Sequence, residues 1–185
     1  MVEDLALFVA GVLVWSFLEY VIHGWLSHTF RTFAMPLHAV HHRDASAVFT
    51  IGAWVPTAFV WAVTLLVFGW TPATILFSGA VAGFIAYEIV HYRIHFRRPR
   101  GRIEQYLRSR HLVHHNFYPN RFFGVTSAFW DLAFGTEPMD REITALCKAM
   151  RSQPPLSGRS NLYKLAYYVR SLSTIADVAS RRRTK

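Results

Sequence analysis

The chain has 185 residues, one domain's worth, of which 52% are apolar, 16% aromatic and only 17% charged. Charge that far below the usual quarter excludes a disordered or acidic-tail protein and argues against an ordinary soluble enzyme. The single cysteine, Cys147, excludes a disulfide framework, a cysteine zinc ribbon and a four-cysteine iron–sulfur site, while the net charge of +9 raises nucleic acid as a partner.

The placement of the charge removes that partner. Only Arg31 and Arg43 precede Arg93, so 18 of the 20 basic residues lie from Arg93 onward. Three apolar runs fill the space before them. Leu5 to Ile22 is broken only by Glu19, Val48 to Trp70 carries no charge, and Pro72 to Val90 holds only Glu88. At about 1.5 Å per helical residue each run is roughly 27–35 Å long, which matches a bilayer core of about 30 Å. The expected fold is therefore all-α: an integral membrane helical protein with a transmembrane hairpin turned at Gly69-Trp70-Thr71-Pro72. Three crossings are expected, with a first segment that only dips into the membrane as the rival.

The start, Met1-Val2-Glu3-Asp4, is acidic, whereas Arg and His follow the first and third runs. This asymmetry places the N-terminus outside and the histidine-rich part on the cytoplasmic side. It also argues against a cleaved signal peptide. No nucleic acid is expected, since the +9 is accounted for by topology. Residues 1–140 read as a membrane catalytic domain and 141–185 as a basic C-terminal extension. In that extension Leu162, Leu165, Val169, Leu172 and Ala176 recur at the spacing of an interfacial amphipathic helix.

All ten histidines fall into four short motifs. His23 and His28 form HxxxxH, His38, His41 and His42 form HxxHH, His91 and His95 form HxxxH, and His111, His114 and His115 repeat HxxHH. On an α-helix HxxHH projects three imidazoles to one side, and HxxxH projects two, one turn apart. Residues five apart stand about 140° apart, so His23 and His28 are expected on different metals unless the helix breaks at Gly24. Ten imidazoles exceed the four ligands of a tetrahedral zinc and suit two metals with about five each. Imidazole by itself does not choose among iron, zinc, copper and nickel. Glu19 and Glu88 precede His23 and His91 at same-face spacings, so each is expected to accept the free ring N–H of a bound imidazole. Asp44 and Asp131 are further candidates.

The motifs and their flanks resemble the fatty acid hydroxylase / sterol desaturase superfamily, and within it the fatty acid 2-hydroxylase branch. The resemblance rests on Trp15-Ser16-Phe17-Leu18-Glu19-Tyr20-Val21-Ile22-His23, then His28, then Leu37-His38-Ala39-Val40-His41-His42. It continues through Tyr87-Glu88-Ile89-Val90-His91-Tyr92-Arg93-Ile94-His95-Phe96 and His111-Leu112-Val113-His114-His115. It closes on Phe123-Gly124-Val125-Thr126-Ser127 with Trp130-Asp131 and Phe134-Gly135-Thr136, so that it covers roughly residues 13 to 138.

The resemblance implies a membrane non-haem di-iron monooxygenase that uses O2 to insert a hydroxyl group into a fatty acyl chain, with C2 one candidate position. Two iron ions are implied on the ten histidines, with zinc able to replace them in isolated protein. His28, His38, His41, His95 and His111 are expected on one metal, and His23, His42, His91, His114 and His115 on the other. Eukaryotic fatty acid 2-hydroxylases often carry a cytochrome b5 domain with no counterpart here. Electrons are therefore expected from a separate donor, such as ferredoxin or cytochrome b5. Asn116 to Phe122 departs from the family pattern, which bears on the substrate. Trp54, Phe59, Phe84 and Phe123 are candidates to line an acyl channel, each with ordinary packing as the plainer alternative. Arg97, Arg98, Arg100, Arg102, Arg108 and Arg110 are candidates to hold a headgroup or an acidic redox partner, with positive-inside placement as the plainer alternative. The rival activities are desaturation and carotenoid ring hydroxylation. A non-enzymatic metal-binding membrane protein is less favoured, because Val48 to Trp70 offers only Thr50, Thr57 and Thr64 as polar groups for an ion path.

Overall fold

The computed structural model describes residues 2–47, 54–137, 141–151 and 155. They form helices and no strand. Helix α1, Val2–Tyr20, opens on Glu3 and Asp4, whose carboxylates favour the positive end of a helix dipole. It runs without a break into a π-helix, Val21–Thr29. A short helix α2, Ala34–Arg43, follows, then α3, Trp54–Phe68, and α4, Trp70–Phe96. The chain ends in α5, Arg102–Asn116, the single turn α6, Phe129–Ala133, and α7, Arg141–Arg151.

Two of these helices, Val2–Thr29 and Trp70–Phe96, are long and apolar enough to cross a membrane among the described residues. Helix α3, at 15 residues, covers less than the apolar run expected there. The start of that run lies outside the described residues, as does the amphipathic segment expected around Leu162 to Ala176. A single residue, Gly69, links α3 to α4. Its φ of 79° is a left-handed conformation that side chains with a Cβ rarely adopt. A helical hairpin is thus present, with Trp61 of α3 against Trp70 and Phe77 of α4, and of its two arms only α4 has spanning length among the described residues.

Helices α1 and α4 pack closely through small residues. A Cβ on Gly11 would strike the Leu76 carbonyl, and one on Gly79 would strike the Phe8 carbonyl. Further along, Gly83 lies against Trp15, whose ring meets Phe84 edge-on at 4.8 Å. Gly79 and Gly83 form the small-xxx-small pattern of close helix pairs in membranes. Contacts advance together from Phe8 to Trp15 and from Leu76 to Phe84, so the two helices run parallel. Both end where the histidines begin. Their outward faces leave Leu5, Val9, Leu13, Ile85 and Ile89 exposed, as do Leu66, Val67 and Phe68 at the end of α3.

Helix α5 turns back across the ends of this pair. Glu104 holds the turn by accepting from Arg93 Nε at 2.5 Å, from Arg93 Nη2 at 3.1 Å and from the Arg100 N–H at 2.5 Å. Leu112 and Val113 of α5 form a core with Phe122 and with Ile143, Leu146 and Met150 of α7. Those three sit at i, i+3 and i+7, one stripe of a helix. Trp130 of α6 donates to Ser16 Oγ at 3.1 Å, and its ring lies tilted against Phe17 of α1 at 4.9 Å.

Candidate metal centre

The structure gathers all ten histidines at the end of the α1–α4 pair, in two clusters of five. His23, His28, His38, His42 and His114 form the first, and His41, His91, His95, His111 and His115 form the second. Within each, one ring nitrogen per residue lies within 4.8 Å of all the others.

This sorting differs from the expected partition, for two physical reasons. His23 and His28 lie on the π-helix, where the hydrogen bonds run from i to i+5 and residues five apart share a face. The expected 140° separation belongs to an α-helix. The second reason lies in HxxHH. At 100° per residue, i+4 stands about 40° to one side of i, and i+3 about 60° to the other. Each HxxHH therefore works as a wedge between two clusters. His38 and His42 enter the first while His41 enters the second; His111 and His115 enter the second while His114 enters the first. Each cluster thus receives one complete pair (His23/His28 or His91/His95), an i,i+4 pair from one wedge and the i+3 residue of the other.

Burial sets the chemistry of these rings. It holds His38, His111, His114 and His115 well below the usual 6.5, with neighbouring imidazoles adding to the effect. His41 and His42 are pushed down to about 4, chiefly by desolvation. These rings are neutral at pH 7, the form that ligates a metal.

The hydrogen bonds then decide which nitrogens are free. His23 Nδ1 lies 2.5 Å from the Phe123 carbonyl, and His114 Nδ1 lies 2.7 Å from the Arg121 carbonyl. A carbonyl only accepts, so both Nδ1 atoms carry the proton and both Nε2 atoms present lone pairs. Those lone pairs face each other at 3.0 Å, and His114 Nε2 also lies 3.1 Å from His42 Nε2. In the second cluster His111 Nε2 stands 3.1 Å from His91 Nε2 and 3.0 Å from His95 Nε2. Buried lone pairs converging in this way repel unless a cation lies among them, so the donor set fits a metal in each cluster.

Glu19 and Asp131 have other roles than the one expected of them. Glu19 accepts from the Val125 N–H at 2.6 Å, the Thr126 N–H at 2.9 Å and the Thr126 hydroxyl at 2.5 Å. It therefore holds a loop, and that loop's Phe123 carbonyl holds His23. Asp131 accepts from the Phe123 and Gly124 N–H groups at 2.8 and 2.7 Å, from the Thr136 hydroxyl at 2.7 Å and from Arg110 at 2.7 Å. Asp44 accepts from the Ser46 N–H. Glu88 sits half-buried on α4, one turn before His91.

Two of the six arginines proposed for a headgroup or redox partner are internal. Arg108 donates to the Ile94 and Met150 carbonyls, and Arg110 bridges Asp131 and Glu137. Arg97, Arg98, Arg100 and Arg102 are exposed. Among the channel candidates, Phe84 is packed against Trp15 and Phe59 is exposed, and the Trp54 side chain lies outside the described residues. Of the three described side chains only Phe123 meets the histidines, stacked on His28 at 5.7 Å. A cavity of about 330 Å³ opens on the first cluster, lined by His28, His38 and His42 with Ser27, Met35, Ala39, Arg43 and Pro119. The carbonyls of Arg121 and Phe123 had no signal in the sequence, since any residue type supplies a carbonyl.

Described residues that are helical throughout and bring two five-histidine clusters to the end of two spanning-length helices have the fold and donor set of a histidine-rich protein that could bind metal. The family model described as fatty acid hydroxylase matches residues 8–136, and the chain belongs to that family. It is 29% identical to dihydroceramide fatty acyl 2-hydroxylase FAH1 of Arabidopsis thaliana over 74% of this chain and 62% of that one. It is 32% identical to fatty acid 2-hydroxylase of Rattus norvegicus over 71% of this chain and 39% of that one. The chain thus spans between about two-fifths and three-fifths of the length of these relatives. The solved structure of full length scs7p, in which only the hydroxylase domain is visible, aligns with a TM-score of 0.65 at 24% identity, covering 83% of this chain and 59% of that one. That likeness is one of fold.

Proposed function

We propose that this protein is a membrane-embedded non-haem di-iron monooxygenase that hydroxylates a fatty acyl chain of a lipid, with C2 as the favoured position. The observation that carries the proposal is the sorting of ten histidines, six of them buried and four half-buried, into two five-nitrogen clusters at the end of two apolar helices, the first beside a cavity. His23, His28, His38, His42 and His114 would hold one iron, and His41, His91, His95, His111 and His115 the other. Iron held by these residues would supply O2 reduction and cleavage of an unactivated C–H bond. The balance is one C–H bond, O2, two electrons and two protons giving one alcohol and one water. The electrons come from a separate donor of the ferredoxin or cytochrome b5 type.

The protein's own residues position and exclude water. Carbonyls at 121 and 123 fix two imidazole tautomers, and burial keeps the rings neutral as ligands. Phe123, stacked on His28, shields one side of the first cluster. The cavity beside it admits a substrate between Met35, Ala39 and Pro119, apolar groups suited to an acyl chain. The exposed apolar faces of α1, α3 and α4 suit burial in lipid. The histidine-bearing end faces the cytoplasm and the N-terminus faces out. Residues 1–140 make the catalytic unit and 141–185 a basic extension. The relatives are named for fatty acyl and fatty acid 2-hydroxylation, which supports the choice of substrate class.

Lipid mass spectrometry of cells expressing the chain, beside cells expressing His111→Ala, tests the proposal. An acyl chain one oxygen heavier is expected only with the intact protein, and its fragmentation locates the carbon. Loss of two hydrogens instead would assign a desaturase. No change in any lipid with a reductase supplied would overturn the proposal.

A further inference from the structure

The two clusters have the same number of imidazoles but different support. In the first, His23 and His114 donate their outer N–H groups to the Phe123 and Arg121 carbonyls. In the second, Nδ1 of His91, His95 and His111 is buried with no hydrogen-bond partner among the described residues. Both carbonyls come from one loop, and that loop is unusually constrained. Phe122 between them has φ of 60°, a left-handed conformation costly for a bulky residue. Its ring is locked in the α5–α7 core, and its N–H donates to the Thr136 carbonyl at 3.1 Å. The turn at Phe122 aims the flanking carbonyls at two imidazoles from different helices. Asp131 grips the next two N–H groups, Glu19 the two after them, and Arg110 pins both Asp131 and the Gly124 carbonyl. Four consecutive backbone N–H groups, at 123 to 126, thus end on two buried carboxylates that hydrogen-bond to no histidine among the described residues.

We infer that Asp131 and Glu19 are positioning residues for one metal only: they hold the 121–126 loop as a clamp on the first cluster and make it the tighter of the two sites. The inference rests on the two-metal reading above. A ligand whose ring is held in place before the metal arrives loses less freedom on binding, and outer hydrogen bonds of this kind are worth about 10–100-fold in metal affinity. The second cluster has no such carbonyls on His91, His95 and His111, so its rings are ordered by the metal itself.

The test is titration of the metal-free full chain in detergent with Co(II), read as bound cobalt by equilibrium dialysis and as the paramagnetic spectrum at one and two equivalents. Two steps are expected. His38→Ala should remove the tighter one and His95→Ala the weaker. Asp131→Asn should weaken the tighter step by about 10–100-fold and leave the weaker unchanged, with the one-equivalent spectrum altered. Thr126→Val and Thr136→Val, which each remove one hydroxyl from the carboxylates, should shift the same step less and carry the test if Asp131→Asn does not fold. Two equal sites, or equal weakening of both steps by these variants, would overturn the clamp. No cobalt bound by the parent chain would instead overturn the two-metal reading itself.

Discussion

Arg110 has its guanidinium out of solvent between two carboxylates, with Asp131 Oδ2 at 2.7 Å and Glu137 Oε2 at 2.6 Å. A third bond goes to the Gly124 carbonyl at 2.9 Å, so its planar fork of donors is used in three directions. Arg110→Ala would leave two carboxylates without their shared cation, at a cost of about 3–5 kcal/mol. Thermal unfolding in detergent measures it, and Arg110→Lys should recover only part, since an ammonium cannot span both carboxylates and the carbonyl. In the sequence Arg110 was one of a row of cationic residues, read by charge as a surface group. Nothing in that row distinguishes it from exposed Arg102, because burial depends on where the 121–137 segment returns. Asp131 was legible only as a weak candidate for the same reason: its partners are N–H groups of a loop, which composition does not reveal.

At the level of elements, the apolar runs and the four histidine motifs were legible because length and spacing are local properties. Their sorting was not. The three imidazoles of HxxHH do share one side of an α-helix, but they spread over about 100° of it, wide enough for two metals to share one motif. The π-helix of Val21–Thr29 was beyond reach, although the HxxxxH spacing is the one such a helix would bring together. The close crossing of α1 and α4 left a signal, Gly79 and Gly83 with Ala80 between, that hydropathy alone passed over. It carries a direct test. Gly79→Leu would drive a side chain into the Phe8 carbonyl and force the helices apart. The expected cost is at least about 1–3 kcal/mol, read as a lower unfolding temperature in detergent. Because His23 and His91 ride on the two separated helices, bound metal should fall as well, read by elemental analysis.

For the whole molecule, the parallel course of α1 and α4 sets the topology. Two parallel helices in sequence require the chain to return between them, and α3 with the Gly69 turn supplies that return. The N-terminus and the turn then share one side, and the histidines take the other. The proposed sidedness predicts a labelling pattern in a Cys147→Ser background. Thr71→Cys, exposed at the turn, should react with an impermeant maleimide added to intact cells, while Asn120→Cys, exposed near the histidines, should react only after lysis. The reverse pattern would invert the orientation, and labelling of both would refute the crossing. A last consequence concerns charge balance. Ten imidazoles bring no negative charge, yet two divalent ions would bring four positive ones. The helices that carry them all reach the centre by their C-terminal turns: His28 closes the π-helix, His41 and His42 close α2, His95 closes α4, and His114 and His115 close α5. Each such end carries roughly half a negative charge in its unpaired carbonyls. Four of them together offer about two negative charges, a counter-ion made of backbone rather than of side chains.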